Sequence, residues 1–285
     1  MRGEFVDLDG ARLYYYAAGT RGAGAPVVFL HGFGTSGHLW GDVVPLMPAG
    51  HRLVVVDLLG YGRSDPAQGR PLSLAAHGER IVSLLDALQI REASLVGHGL
   101  GGGIAQSIAV RAPSRVSRLA LVSSVAFHDW PTRDVRLARL LMPLLGQLPA
   151  AWLLSMVRAE LERGYVDPAR AAHALDRFGR PFLTPDGRDA LCQHIMAIDR
   201  GETRELGGSL ARITVPTSVI WGEHDPFLSL PFGRRLSAAI PGAQFVEIAG
   251  ARHMLPDDAP RQVAEALVAL LARDDAVSAA RSLPG

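Results

Sequence analysis

The sequence predicts an α/β fold, a mostly parallel sheet of eight strands flanked by helices with an all-helical segment inserted, and three observations predict it. Short apolar runs recur along the chain at spacings that leave room for one helix between them, the signature of parallel strands covered on both faces. The intervening stretches carry apolar residues at helical spacing. That alternation stops between about Phe127 and Gly208, where helical patterns follow one another without a strand.

In order, Phe5 to Leu8 and Leu13 to Tyr16 flank the pair Asp9-Gly10, an opening β-hairpin. The remaining strands are Val27-Leu30, Leu53-Val56, Ala93-Val96, Leu119-Val122, Thr217-Trp221 and Phe245-Ile248. A helix starts at Ser73 as N-cap and sets Ile81, Val82, Leu85 and Leu88 on one face. Another, Arg261 to Arg273, sets Val263, Leu267, Leu270 and Leu271 inward. Within the strandless region Leu137, Leu140, Leu141, Leu144, Leu145 and Leu148 fall at helical spacing, a stripe read as core packing, with Pro143 expected to kink it. Helices are also expected from Trp152 and over Pro185 to Asp199. The expected organisation is core over 1–127, a helical cap over 128–208, core again over 209–273 and a flexible tail over 274–285. A cap placed so would lie over the carboxyl edge of the sheet, where ligands bind in such folds.

Composition narrows the function. At 48% hydrophobic and 20% charged residues the chain is ordinary for a soluble globular protein, and a net charge of +1 gives no electrostatic footprint for nucleic acid or an anionic membrane. The start lacks an apolar signal core and no apolar run reaches the ~18 residues of a membrane span, so the cytoplasm is the expected compartment. One cysteine, Cys192, excludes an internal disulfide and makes no metal-ligand spacing. All 29 basic residues are Arg, so no lysine can form a Schiff base and pyridoxal phosphate chemistry is excluded. No cofactor and no metal is expected, and the oligomeric state is left open.

Leu95-Val96-Gly97-His98-Gly99-Leu100-Gly101-Gly102 contains every residue of a nucleophile elbow except the nucleophile. In the G-x-S-x-G pattern a strand turns sharply into a helix and lifts a serine oxygen to the helix head; here that position is Gly99, which has no atom with which to attack a carbonyl. His31-Gly32-Phe33-Gly34 follows the strand Val27-Leu30, where one oxyanion-hole amide is supplied in such sites. Trp221-Gly222-Glu223-His224-Asp225 puts a carboxylate past the next-to-last strand, and Gly250-Ala251-Arg252-His253 puts a histidine past the last. Asp57-Leu58-Leu59-Gly60-Tyr61-Gly62-Arg63-Ser64 follows the strand Leu53-Val56.

With these motifs in order, the chain resembles the α/β-hydrolase superfamily, of the kind that includes small esterases, C–C bond hydrolases, haloperoxidase-like enzymes and epoxide hydrolases. The resemblance covers nearly all of the chain up to about Arg273 and implies that His253 is a general base, Asp225 its orienting carboxylate, and the backbone amides of Phe33 and Leu100 the oxyanion donors. Gly99 departs from the pattern: esterases place Ser there, and epoxide hydrolases and haloalkane dehalogenases place Asp. Pocket residues are expected from His31, Gly32, Trp40, His98, Phe127, Trp130 and Met254, whose aromatic and apolar share favours a small hydrophobic molecule.

Each assignment has a structural competitor. Asp225 before Pro226 also suits a helix N-cap, His98 and His31 suit hydrogen-bonded bracing, and Asp57 and Ser64 suit loop shaping. Three functions fit the residues: a hydrolase of an ester-like or ketone substrate whose serine has been substituted; a native lyase, cyclase, isomerase or cofactor-free oxygenase using His253 and Asp225 for proton transfer; and a ligand-binding protein without chemistry.

Overall fold

The computed structural model describes residues 3–20, 24–127, 131 and 133–273. Trp130 and the expected tail over 274–285 lie outside the described residues.

Eight strands form one sheet: β1 (Glu4–Leu8), β2 (Ala11–Ala18), β3 (Val27–Leu30), β4 (Leu53–Val56), β5 (Ala93–His98), β6 (Val116–Val122), β7 (Thr217–Gly222) and β8 (Gln244–Ile248), in the order β1-β2-β4-β3-β5-β6-β7-β8. β1 and β2 make the hairpin, with Asp9 (φ 54°) and Gly10 (φ 74°) both left-handed as a tight two-residue turn requires. β2 joins β4 antiparallel and every later pairing is parallel. Alternate residues of one strand enter opposite layers: Val28 and Leu30 of β3 pack in one core cluster, Val27 and Phe29 in the other. Both faces being buried, the run is apolar throughout instead of alternating, and each fully buried aliphatic side chain contributes about 1.5–3 kcal/mol.

The helices are α1 (Leu74–Ala87), α2 (Leu100–Arg111), α3 (Arg133–Leu145), α4 (Ala150–Glu162), α5 (Pro168–Gly179), α6 (Pro185–Ala197), α7 (Arg200–Ser209), α8 (Leu230–Ala239), α9 (Leu255–Asp258) and α10 (Pro260–Leu271). Ser73 caps α1, its Oγ accepting from the Ala76 amide at 3.1 Å. α1, α2 and α8 bury residues in one layer and α10 in the other. Helices α3 to α7 come between β6 and β7, with no strand among the described residues there. Their junction with the core includes Glu202 of α7, whose carboxylate accepts from the first amides of α1, Leu74 and Ala75, at 2.8 and 2.7 Å, where the helix dipole favours an anion.

The leucine stripe differs from its expectation as core. Leu137, Leu140, Leu141 and Leu144 are exposed, because α3 is a single layer whose opposite side, Val135, Ala138, Met142 and Leu145, faces a cavity. α3 continues through Pro143 and ends two residues later.

β3 pairs with β4 on one side and β5 on the other, so the chain leaves the sheet in opposite directions at this point. In open α/β sheets the crevice beyond such a switch is where ligands sit. Residues 31–34 emerge after β3, Gly99 after β5, Asp225 after β7 and His253 after β8, all at the carboxyl edge.

Candidate active site

β5 ends at His98 and α2 begins at Leu100, so Gly99 alone makes the strand-to-helix turn, with φ 52° and ψ −114°. That conformation is strained for any residue with a Cβ. The turn is closed by small neighbours: a Cβ on Gly97 would meet the Gly101 carbonyl oxygen at 2.3 Å, and one on Gly101 would meet the Leu30 carbonyl oxygen at 2.4 Å. Backbone-to-backbone approach of that closeness admits only glycine.

His253 and Asp225 meet across the ends of β7 and β8, with His253 Nδ1 2.8 Å from Asp225 Oδ2. The carboxylate can only accept, so Nδ1 carries the proton and Nε2 is left as the base lone pair. Nε2 faces the turn: a Cβ built on Gly99 would lie 3.7 Å from it and 3.6 Å from the Gly32 Cα, ordinary contact distances. The helix N-cap role is not taken, since α8 opens after Ser229; the other oxygen of Asp225 instead closes its own turn, accepting from the Phe227 and Leu228 amides at 2.9 and 3.0 Å. Burial would raise the Asp225 pKa, but the charge and hydrogen bond of His253 and those two amides outweigh it and hold the carboxyl below its ordinary value.

Beside the turn lies a cavity of about 260 Å³. The core contributes Phe33, His98, Gly99, Leu100, His253 and Met254 to its wall, and α3, α4 and α6 supply a mostly aliphatic opposite wall. Among the described residues the backbone N–H groups of Phe33 and Leu100 donate to no protein acceptor. Leu100 opens α2, where the helix leaves its first amides unpaired.

Several expected residues stand behind this wall instead of on it. Trp40 is fully buried against Phe29, ring centroids 5.3 Å apart, and Phe127 packs edge-on to Phe232 at 5.6 Å; each fills a core layer, so neither lines the cavity. Trp130 lies outside the described residues. His31 braces its loop: Nδ1–H donates to the Gly32 carbonyl at 2.9 Å, and Nε2 accepts from the Leu58 amide at 3.0 Å. Burial lowers its pKa to about 4, so it is neutral at pH 7. His98 reaches the cavity wall, yet its Nε2–H donates to the His253 backbone carbonyl at 3.0 Å, and burial followed by the His253 charge lowers its pKa to about 3. Gly32 is required by this ring, since a Cβ there would lie 2.6 Å from His98 Nδ1.

Asp57 and Ser64 shape the loop after β4. Asp57 accepts from the Gly37 and Arg63 amides at 2.6 and 2.9 Å, and Ser64 donates to the Asp57 carbonyl while accepting from the Tyr14 amide. Ser124 is occupied by Gln106 at 2.8 Å, and Cys192 is half-buried in α6. Among the described residues no group of three His, Cys, Asp or Glu side chains is arranged to hold a metal, and no helix is long and apolar enough to cross a membrane.

Sequence reasoning missed Phe227, whose ring stands edge-on to His253 at 5.0 Å and lines the cavity. The Asp225-Pro226-Phe227 turn was its only signal. It also missed Glu160 and Leu161 of α4, because periodicity places a helix face without saying what that face meets.

The model of the alpha/beta hydrolase family matches residues 27–266. The chain is 30% identical, over 83% of its own length and 83% of the relative's, to a 2-hydroxy-6-oxononadienedioate/2-hydroxy-6-oxononatrienedioate hydrolase of Cupriavidus pinatubonensis. An alpha/beta hydrolase fold protein from Burkholderia ambifaria superposes with a TM-score of 0.85 at 26% identity, covering 94% of this chain and 96% of that one. The enol-lactonase from Burkholderia xenovorans LB400 superposes with a TM-score of 0.78 at 25% identity, covering 95% of this chain and 100% of the other. By the turn at Gly99, the order of the motifs along the sheet edge and the span of the family match, the chain belongs to the alpha/beta hydrolase family.

Proposed function

We propose that the chain is a hydrolase-type enzyme for a small hydrophobic ester-like or ketone substrate, bound beneath helices α3 to α7 acting as a cap, with His253 as general base and Gly99 standing where the nucleophile is otherwise placed. The carrying observation is the 3.7 Å between a Cβ built on Gly99 and His253 Nε2: the base is aimed at a turn with room for a side chain. With Gly99 in place the attacking group is a water. His253 Nε2 takes its proton as the oxygen bonds to the substrate carbonyl carbon, and the amides of Phe33 and Leu100 hold the charge that develops on the carbonyl oxygen. Collapse returns the proton from His253 to the leaving alkoxide or carbanion, giving an acid and an alcohol or a new C–H bond. Asp225 keeps the imidazole in the Nδ1–H tautomer and stabilises the imidazolium.

The wall of the cavity supports an uncharged substrate. Among the described residues it includes no arginine, and Glu160 is its one carboxylate. The names of the two relatives above contain an oxo acid and an enol lactone, which supports a reacting carbonyl here. A dicarboxylate has no counter-charge on this wall.

The test is Gly99→Ser. It should place an oxygen between His253 and the two amides and raise turnover of a short p-nitrophenyl ester by at least ~10²-fold, with the new serine labelled by a fluorophosphonate and the gain lost on adding His253→Ala. A folded Ser variant that neither hydrolyses activated esters nor takes the label would sink the hydrolase reading and leave proton transfer by His253.

A further inference from the structure

His253 is held to Asp225 by one side-chain hydrogen bond, and a single bond fixes an imidazole along a line without fixing its swing about that line. The aim of its Nε2, 3.7 Å from a Cβ built on Gly99, therefore depends on where its backbone stands. The peptide group joining His253 to Met254 is gripped at both ends. Its N–H, on Met254, donates to the Gly164 carbonyl at 2.9 Å, in the loop between α4 and α5. Its carbonyl, on His253, accepts from His98 Nε2–H at 3.0 Å. The two histidine rings also meet edge-on, centroids 4.8 Å apart.

His98 is the last residue of β5, immediately before the Gly99 turn, and β6 and β7 separate that strand from β8, which leads to His253. Its ring thus ties the base to the turn across the ends of two strands. The tie is not needed to satisfy the backbone, because the His253 carbonyl already accepts from the Leu255 amide at 2.8 Å. Nor is a histidine the best filler for this place. His98 Nδ1 is buried without a partner, and a buried polar atom left so costs stability that an apolar ring of similar size would keep. The hydrogen bond to the carbonyl of the base is what the imidazole adds. Burial lowers the pKa of His98 to about 3, so the ring is neutral through the pH range in which His253 can accept a proton, and its one N–H stays on Nε2.

We propose that His98 is a positioning residue: through Nε2–H it fixes the His253 peptide against the Gly99 turn and so keeps His253 Nε2 directed at the reacting atoms. The proposal rests on the reading of His253 as general base. Because the holder and the nucleophile position are adjacent in sequence, the base takes its register from the turn itself and not from β8 alone. A displacement of ~1 Å in such a group can cost on the order of 10²-fold in rate.

The test compares His98→Gln with His98→Asn. A glutamine amide N–H reaches about as far as Nε2 and an asparagine amide only about as far as Nδ1, so the first can keep the bond to the His253 carbonyl and the second cannot. In the unaltered Gly99 chain with isotope-labelled histidine, the Nδ1–H proton of His253 is assigned by its loss in His253→Ala. It should remain a slowly exchanging downfield signal in His98→Gln and broaden or vanish in His98→Asn. On the Gly99→Ser background His98→Asn should lower kcat at least ~10-fold with KM within about twofold, and His98→Gln should recover most of that loss. Thermal unfolding checks that each variant is folded; should His98→Asn not fold, His98→Phe, which keeps the ring volume without the donor, takes its place with the same expectation. Equal signals and equal kcat in the folded variants with and without the donor overturn the proposal, since the bond then serves packing alone. The signal is read without turnover. An inactive Gly99→Ser chain whose His98 variants still differ in the signal sinks the hydrolase reading alone, and an active one whose variants do not differ sinks the positioning role alone.

Discussion

The two walls of the cavity are built on opposite principles. On the core side the loops are held by hydrogen bonds: Asp57 holds the amides of Gly37 and Arg63, His31 holds the Leu58 amide, and Asp225 holds His253 together with two amides of its own turn. On the helical side α3 and α4 meet the cavity with side chains such as Val135, Met142, Leu153 and Val157, and little besides packing locates them. Hydrogen bonds to buried backbone groups fix a position to within a few tenths of an ångström; aliphatic contacts tolerate repacking. On the proposed function, the difference assigns the reacting geometry to the sheet edge and the choice of ligand to the helices. Breaking either wall should therefore leave the other recognisable.

Acid breaks the core wall, with the largest expected effect. Burial lowers the pKa of His31 to about 4 and of His98 to about 3, and that of His194, stacked on Tyr61 where the helices meet the core, to about 4. An unfolded histidine titrates near ~6.5, so below that pH the unfolded chain binds more protons and stability falls as the pH falls toward 4. Asp57, raised by burial, works in the opposite sense. The contribution of Asp225, lowered on balance, is lost only below its ordinary carboxylate range. Urea unfolding from pH 7.5 to 4.5 should show a loss of at least ~4 kcal/mol. A flat profile would mean that these rings are not buried neutral. α3 and α4 contain no histidine; on the helical side the effect enters through His194 of α6.

Asp57→Ala comes next. It removes the acceptor of two amides and leaves both without a partner, at a cost of about 3 kcal/mol by chemical denaturation. Asp57→Asn keeps one acceptor and should recover part of the loss. If both variants are equally stable, the loop after β4 is held by something other than this carboxylate.

These core features were legible in the sequence because each is written in a few adjacent residues. Asp9-Gly10 announces the hairpin, and Gly97-His98-Gly99-Leu100-Gly101 announces the turn, since only glycine suits both the positive φ and the close backbone approach. The order of the motifs along the chain then sets His253, Asp225 and Gly99 at one edge. The helical wall was legible only as periodicity. Two apolar faces on α3 share the same spacing, and nothing local distinguishes the one facing the cavity from the one facing outward. Trp40 and Phe127 fail for a related reason: an aromatic next to a motif suits the layer behind a site as well as its surface, and here both fill the layer.

Gly99→Ser sharpens the same contrast from the stability side. Its Cβ meets only ordinary contacts, but φ 52° is unfavourable for any L side chain, so the variant should lose about 1–3 kcal/mol while gaining esterase activity. Gly99→Ala, with the same strain and no oxygen, should lose stability equally and gain nothing. Equal activity in the two variants would mean that a change common to both side chains, and not the added oxygen, governs turnover.

The smallest effects come from a matched pair one half-turn apart on α3. Met142 is 5% exposed and lines the cavity; Leu140 is 76% exposed. Truncating a buried Met to Ala removes packing on the side where it touches neighbours, and its open side already borders the cavity, so Met142→Ala should cost about 2 kcal/mol, the low end for such changes, and weaken binding of a hydrophobic ligand. Leu140→Ala should change stability by no more than ~0.5 kcal/mol and leave ligand affinity in free solution unaltered, because it meets neither core nor cavity. If Leu140→Ala proves the costlier of the two, the outer face of α3 is packed in solution and the helix is not the two-sided wall described here. If Met142→Ala is neutral in both stability and binding, the helical wall does not choose the ligand, and selection falls to Phe33, Phe227 and Met254 on the core side.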